Sequence, residues 1–225
     1  VGWDPVAHPF TVVPHPEVED WMHFFIRATG TFTSKLHEQC QSQHSLPSMR
    51  FSGPYGRPLF SRNSDMTYLR AICFVCGGVG ITPALSLAEA AQRSGKLVYL
   101  YWSLRSPAML RKCIPLLTRF QCHGGQRGLH IVITGHKEEF RDTCGIVLHT
   151  QRQPLKDWLE EKGEELVEQG IRHAGLFMCG PPGLSEEAIG AARSEIGGVH
   201  WHLHSEEFRF LPFTRACVQK LRKHR

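Results

Sequence analysis

The chain has 225 residues, of which 41% are apolar, so it can bury a core and is not a disordered chain. Its 26 Lys and Arg exceed its 21 Asp and Glu only through the last eleven residues, RACVQKLRKHR, which hold five bases and no acid. This distribution argues against a nucleic-acid-binding protein, whose positive charge would lie on a folded face. The tail is either simply solvated or able to touch an anionic membrane surface or an acidic partner.

The first 62 residues have sequence patterns that are typical of antiparallel β-structure. The alternation in WMHFFIRAT predicts a strand whose packed face carries Met22, Phe24, Ile26 and Ala28 and whose other face carries Trp21, His23, Phe25 and Arg27. A short helix is predicted over residues 33–40. A strand near MRFSG, residues 49–53, and a turn at GPYG, residues 53–56, follow it.

From Tyr68 onwards, continuous apolar runs alternate with helical patterns. The predicted strands are LRAICFVC, KLVYLYW, LHIVIT, AGLFMC and VHWHLH, and the helices between them begin at Pro83, Pro107, Leu155 and Pro182. Such an alternation predicts an α/β domain with a doubly wound parallel sheet that is covered on both faces. Pro115 is expected to kink or shorten the second of these helices.

An uncharged run of eighteen residues, 71–88, approaches the length of a membrane helix. Its centre is Gly77-Gly78-Val79-Gly80 and then Pro83, which would leave backbone groups unpaired in lipid, so no membrane span is predicted. VGWDPVAHPF also lacks the basic start and apolar core of a signal peptide. A chain that begins with Val in mid-pattern is expected to be a fragment of something longer.

The eight cysteines are scattered, several of them inside apolar runs, which favours reduced thiols in the cytosol over a disulfide framework. Cys73 and Cys76 form a CxxC. No second CxxC or HxxxH completes a set of zinc ligands, and residues three apart on a strand point to opposite faces. No metal site is therefore predicted.

A glycine-rich turn follows the first parallel strand. Gly78 and Gly80 would let the backbone approach a pyrophosphate, and Thr82 and Pro83 suit the N-cap and first turn of a helix whose N–H groups and dipole favour an anion. The next strand ends in YWSLRS, which offers Ser103 and Arg105 where many NAD-binding folds have an acid. That substitution favours a 2′-phosphate, and hence NADPH.

Each of these signals has an ordinary alternative. Tight strand-to-helix turns use glycine anyway, and Arg105 alone is consistent with a surface arginine. Arg152 is a second, weaker candidate for the phosphate. Cys179-Gly180-Pro181 is a second turn between a predicted strand and a predicted helix, at a position where a ligand crevice would lie. Cys179 is also consistent with a buried structural thiol.

Two N-terminal stretches could hold a second ligand. HPFT supplies an imidazole, an aromatic face and a hydroxyl, which together suit a phosphate and a flat heterocycle: His8, Pro9, Phe10 and Thr11. Arg27 precedes a Thr-rich helix start with Thr33, again a site for an anion. Each stretch alone is equally consistent with a strand and a helix cap.

These motifs, in this order, resemble the ferredoxin–NADP reductase superfamily, specifically the cytosolic dehydrogenase region of NADPH oxidases and ferric-chelate reductases. The resemblance runs from about His8 to Phe210 and rests on HPFT, I-R-x-x-G-x-[FW]-T, GPYG, GGVGITP, YW-x-x-R, CGPP and a closing E-E-F. It implies the end of an antiparallel FAD-binding β-barrel at residues 1–65, an NAD(P)-binding domain at 66–210 and a basic tail at 211–225.

The resemblance also implies roles for individual residues. Thr11 would lie near the flavin ring and His8 near its pyrophosphate, with Arg27 and Thr33 on the FAD phosphates. Phe208 would cover the flavin and give way to the nicotinamide. The NADPH site would be framed by Gly78, Gly80, Ile81, Thr82, Pro83, Arg105, Arg152, Cys179, Gly180 and Pro181, with Thr11, Cys179 and Phe208 closest to the chemistry.

The implied activity is hydride transfer from NADPH to FAD and then single-electron transfer, through a haem in a membrane domain that precedes this region, to ferric iron or dioxygen. The region would lie on the cytosolic side of the membrane. Seventeen residues follow Phe208, whereas NADPH oxidases usually end at that aromatic, which favours the ferric-reductase side. Two alternatives stay open: a soluble flavin reductase that feeds a carrier protein, and a non-catalytic NADPH-binding regulatory module.

Overall fold

The computed structural model of the chain describes residues 8–15, 22–43, 49–53, 67–122, 127–134, 148–149, 151–193 and 196–206. Two short strands and one helix precede an alternating series of strands and helices. In chain order the elements are β1 (Val13–Pro14), β2 (Met22–His23), α1 (Thr31–Gln43), β3 (Ala71–Gly77), α2 (Ile81–Arg93), β4 (Leu97–Leu104), α3 (Pro107–Cys122), β5 (Arg127–Ile133), β6 (Leu148–His149), α4 (Leu155–Glu168), β7 (His173–Cys179), α5 (Pro182–Ala192) and β8 (His200–Glu206).

The six later strands form one parallel sheet in the order β6-β5-β4-β3-β7-β8. The chain starts at β3, moves outward through β4 and β5 to β6, and then crosses back to β7 and β8 on the other side. The direction of winding therefore reverses between β3 and β7, which is where open α/β sheets bind their ligands. The predicted doubly wound parallel sheet is confirmed.

Both faces of the sheet are buried, as the continuous apolar runs require. Every residue of β3 is buried, and its side chains alternate between two core clusters. Phe74 and Cys76 belong to the cluster that contains residues of α2 and α3, whereas Cys73 and Val75 belong to the one that contains residues of α4 and α5. The prediction that Cys73 and Cys76 point to opposite faces is confirmed.

The N-terminal region departs from the prediction. The described residues form only a two-residue antiparallel ladder, β1 with β2, and neither residues 24–29 nor residues 49–53 form a strand. The predicted packed face is wrong as well: Met22 and Ile26 are 60% and 37% exposed, whereas Phe25 packs against the core. The physical reason is that a strand face becomes buried only when neighbouring strands complete the layer.

The helix predictions need smaller corrections. α3 continues through Pro115 to Cys122 instead of ending there, because Leu110, Cys113 and Leu117 bury its inner face in the core and offset the missing backbone donor. α2 begins at Ile81, two residues before the predicted Pro83. Strand β6 was not predicted at all. None of the helices in the described parts of the chain is long and apolar enough to cross a bilayer.

Several predictions concern residues outside the described ranges: most of GPYG, the domain boundary at residue 65, Phe208 and the tail at 211–225. These stay predictions.

Candidate functional site at the reversal point of the sheet

Two loops meet where the winding of the sheet reverses. Cys76 and Cys179 are partners in the parallel ladder between β3 and β7, so the turn after β3 and the turn after β7 leave the sheet side by side. A Cβ built on Gly80 would lie only 2.1 Å from the carbonyl oxygen of Cys179, and one on Gly180 would lie 2.9 Å from the backbone nitrogen of Gly77. Both glycines therefore permit the close contact between the loops.

Gly78 serves a different purpose from Gly80. Its φ is +52°, which favours glycine, and no described atom lies within 4 Å of a Cβ built on it. The indole N–H of Trp102, which is fully buried, donates a hydrogen bond of 2.9 Å to the Gly78 carbonyl oxygen. The turn is thus fixed from the sheet side and open on its outer side, as a loop that receives a ligand needs to be.

The start of α2 corrects the expected role of Thr82. Gly80 is the N-cap, and no side chain caps the helix. Thr82 is 2% exposed, and its hydroxyl donates to the carbonyl oxygen of Val79 at 3.0 Å. Ile81 and Pro83 are buried as well, so this turn can offer a ligand only backbone N–H groups, the donors that bind anions at helix N-termini.

Cys179 lies at the carboxyl end of β7 and is buried. Burial, with a smaller contribution from the charge of Glu206, raises the pKa of the Cys179 thiol to about 12. The thiol is therefore neutral at physiological pH and is neither a nucleophile nor an acid there. What Cys179 can contribute is a small, polarisable surface against which a flat ring can lie. Pro181 is exposed just before α5.

The two candidate arginines are placed differently. Arg105 is exposed directly after β4 and forms no ion pair with the residues that the structure describes. Arg152 forms a salt bridge with Glu187 on α5, whose other oxygen accepts the backbone N–H of Leu155 at the start of α4. Arg152 therefore ties the segment before α4 to α5, and Arg105 is the one of the two guanidinium groups that is available to a phosphate. Ser103, near the end of β4, is half-buried.

The HPFT segment lies against the first helix. The His8 ring stacks on Phe32 at a centroid distance of 4.1 Å, and Phe10 lies 6.4 Å from the same ring. The Nε2 atom of His8 is buried and has no hydrogen-bond partner among the described residues. An unpaired buried nitrogen is costly, so its position beside aromatic rings fits a bound group that carries hydrogen-bonding oxygens. Thr11 is half-buried and Pro9 is exposed.

Thr33 is already engaged within its own loop. Its hydroxyl accepts the N–H groups of Thr29 and Gly30 at 3.0 Å each and donates to the Gly30 carbonyl oxygen at 3.2 Å. This arrangement closes the turn before α1 and leaves Thr33 with 8% of its surface exposed. Arg27 lies exposed just upstream. The expected anion site here would depend on Arg27 and the helix start rather than on the Thr33 hydroxyl.

The two halves of the site are joined through α2. The hydroxyl of Ser86 donates a hydrogen bond of 2.7 Å to the carbonyl oxygen of Val12, and Val13 is completely buried in the core cluster that also contains Ile81. The segment that follows HPFT is therefore held on the same helix that the glycine turn opens. Sequence reasoning missed both Ser86 and Trp102, although the aromatic pair in YWSLRS was a signal for a buried indole that needs a partner.

The chain is similar to a known family model and to several known proteins. A family model described as an FAD-binding domain matches residues 4–59. The chain is 24% identical to Dual oxidase 2 of Homo sapiens over 240 residues, which cover 89% of this chain and 15% of that protein. It is 32% identical to Ferric reduction oxidase 2 of Arabidopsis thaliana over 83 residues, which cover 36% of this chain and 11% of that protein. The chain thus spans a small part of these relatives.

Among solved structures, the flavohemoglobin of Malassezia yamatoensis with bound FAD and heme is similar to the chain with a TM-score of 0.54 and 22% sequence identity. The match covers 89% of this chain and 46% of that one. At this identity the similarity concerns the fold alone.

Proposed function

We propose that the chain, which is similar to NADPH oxidases and ferric reductases of the ferredoxin–NADP reductase-like family, is the dehydrogenase region of a flavin-dependent oxidoreductase that oxidises NADPH. The observation that carries the proposal is the contact of Gly80 with Cys179 at the reversal point of the sheet. This contact aligns an anion-binding helix start with the end of β7, which is the arrangement that a dinucleotide needs.

The nicotinamide dinucleotide would bind across this reversal point. Backbone N–H groups at the start of α2 would hold its pyrophosphate, except that of Ile81, which already donates to the carbonyl oxygens of Gly78 and Val79. Gly78 leaves room for the backbone to approach the pyrophosphate. Arg105 would bind the 2′-phosphate of NADPH, since it is exposed and has no competing carboxylate among the described residues. The neutral thiol of Cys179 would orient the nicotinamide by contact and not by proton transfer.

The flavin would bind through the N-terminal segment, whose unpaired His8 nitrogen and neighbouring aromatic rings fit such a ligand. Bound FAD would supply a group that accepts two electrons from NADPH and releases them one at a time. Within the chain, an N–H of the His8 ring would donate to the pyrophosphate, Phe10 and Thr11 would line the flavin ring, and Arg27 would neutralise phosphate charge. Phe208, outside the described residues, would cover the flavin.

No residue of this site is required to move a proton. The work of the chain is to bind the two cofactors, to orient them and to exclude water, and the hydrogen bond of Ser86 to Val12 serves this purpose by tying the N-terminal segment to α2. We further propose that electrons leave for a haem in a membrane portion of the protein, and from there reach ferric iron or dioxygen. The region would then face the cytosol.

The experiment is to load the purified protein with FAD and to measure NADPH oxidation with an artificial dye as electron acceptor. We expect turnover that depends on bound flavin and is faster with NADPH than with NADH. Bound flavin without turnover would contradict the proposal. Tight NADP⁺ binding by calorimetry without any flavin uptake would instead support a non-catalytic NADPH-binding module.

A further inference from the structure

Three histidines lie together at the amino ends of the last two strands. In the parallel ladder His173 on β7 is the partner of His200 on β8, and His202 follows two residues later. Since side chains alternate along a strand, His200 and His202 lie on one face of β8, and the side chain of a directly paired residue lies on the same face of the sheet. The topology therefore gathers three imidazoles on one face.

The distances within this group are short. The Nδ1 atom of His173 lies 3.3 Å from the Nε2 atom of His202. The ring centroid of His173 is 5.5 Å from that of His200 and 5.5 Å from that of His202. The centroids of His200 and His202 are 5.0 Å apart. Each ring is thus a neighbour of the other two.

The separation of the two nitrogens matches a metal site. Imidazole nitrogens bind zinc at about 2.0–2.1 Å in tetrahedral geometry, which places two of them about 3.3–3.4 Å apart. We propose that His173 and His202, with His200 as third ligand, bind one divalent transition metal ion, zinc in the first instance. Imidazole nitrogens suit zinc, nickel and copper, and a water molecule would complete the tetrahedron.

One movement is needed to complete the site. As their side chains stand, no three His, Cys, Asp or Glu of the described residues are arranged to hold an ion. His173 and His202 already have the required separation, and the exposed His200 would turn its ring towards them.

The site is distinct from the cofactor crevice. His173 begins β7 and Cys179 ends it, so the two residues lie at opposite ends of this strand, about 20 Å apart. A metal ion bound by the three histidines would join β8, the edge strand, to β7. The prediction that the chain has no metal site rests on the absence of a second CxxC or an HxxxH, and the alternating histidines of VHWHLH are interpreted there only as a strand.

Zinc titration of the purified, reduced chain by calorimetry tests the proposal. We expect one zinc ion per chain and a rise in melting temperature, because a ligand that binds only the folded state stabilises it. In the double variant His173→Ala with His202→Ala the affinity should fall at least 30-fold, and in His200→Ala at least fivefold. His204→Ala, further along the same strand, and His37→Ala, on α1, should bind zinc as the wild type does.

The proposal is overturned if the wild type binds no zinc, if the double variant binds it equally well, or if His200→Ala leaves the affinity unchanged. A second measurement needs no variant and so does not depend on folding of the double variant. Cobalt bound at this site should show no thiolate-to-metal charge-transfer band, because all protein ligands are imidazoles. A strong thiolate band would place the metal on a cysteine and refute the assignment.

Discussion

The indole N–H of Trp102 on β4 donates a hydrogen bond of 2.9 Å to the carbonyl oxygen of Gly78, at the open turn after β3. Trp102 is completely buried, so the bond is shielded from water and holds the Gly78 peptide in one orientation. A residue outside the proposed cofactor contacts thereby fixes the loop that would receive the pyrophosphate. Trp102 is a positioning residue in this sense.

Trp102→Phe should weaken NADP⁺ binding about 3- to 10-fold, the effect of one hydrogen bond, because the Gly78 peptide becomes free to rotate. The measurement is calorimetric titration with NADP⁺. Trp201→Phe is a matched control: its buried indole also donates to a backbone carbonyl, that of Ile196 at 3.3 Å, far from the glycine turn. The control should lose stability without losing affinity. Equal NADP⁺ affinities for the wild type and Trp102→Phe would contradict this role.

Gly80→Ala should separate the two loops. The new Cβ would stand 2.1 Å from the Cys179 carbonyl oxygen, a backbone atom that cannot swing aside. We expect the free energy of unfolding to fall by about 1–3 kcal/mol, as for other overpacked sites, and NADP⁺ binding to fall with it. Denaturant titration and calorimetry report the two effects. Gly183→Ala in α5 is the control, because nothing lies within 4 Å of its Cβ, and it should lower neither the free energy of unfolding nor the NADP⁺ affinity.

Arg105→Ala should lower the affinity for NADP⁺ about tenfold and leave that for NAD⁺ unchanged, because an exposed guanidinium contributes only through the 2′-phosphate. The ratio of the two dissociation constants is the measurement. Arg152→Ala is the informative comparison. The salt bridge of Arg152 with Glu187 joins the segment before α4 to α5, so Arg152→Ala should lower the melting temperature slightly and leave the ratio of the two dissociation constants unchanged. A changed ratio in Arg152→Ala alone would reverse the assignment of the two arginines.

The parallel sheet was predictable because its strands are buried on both faces and read as unbroken apolar runs. β3 is an example, since all seven of its residues are buried. β6 was missed because two residues, Leu148 and His149, carry no periodicity. The packed face of residues 21–29 was mispredicted because burial there depends on neighbouring strands and not on the local pattern.

The candidate site was predictable as a set of motifs but not as a set of contacts. The glycines at 78 and 80 were both interpreted as room for a ligand, whereas the structure shows that Gly80 makes room for the backbone of Cys179. Thr82 was expected at the N-cap, yet its hydroxyl donates a hydrogen bond to the carbonyl oxygen of Val79. Contacts such as Ser86 with Val12, which are 74 residues apart in the chain, leave no local signal in a single sequence.

His130 should make stability depend on pH. Its ring lies between His149, at a centroid distance of 3.9 Å, and Tyr101, at 5.0 Å, and its Nε2 atom has no partner among the described residues. Burial, and then the charge of His149, lowers the pKa of His130 to about 4, against 6.5 when exposed. Glu161 raises this pKa and Lys162 lowers it, but both effects are smaller than that of burial.

Because the folded-state pKa of His130 is the lower one, the unfolded chain takes up a proton first as the pH falls. The free energy of unfolding is unaffected by His130 above pH 6.5, falls between pH 6.5 and 4 by on the order of 1–3 kcal/mol, and levels off below. His130→Phe keeps the ring stack and should flatten this slope in denaturant titrations at successive pH values. His37→Phe, on the exposed side of α1, should keep the wild-type slope. Identical slopes for His130→Phe and the wild type would show that His130 is protonated equally in both states.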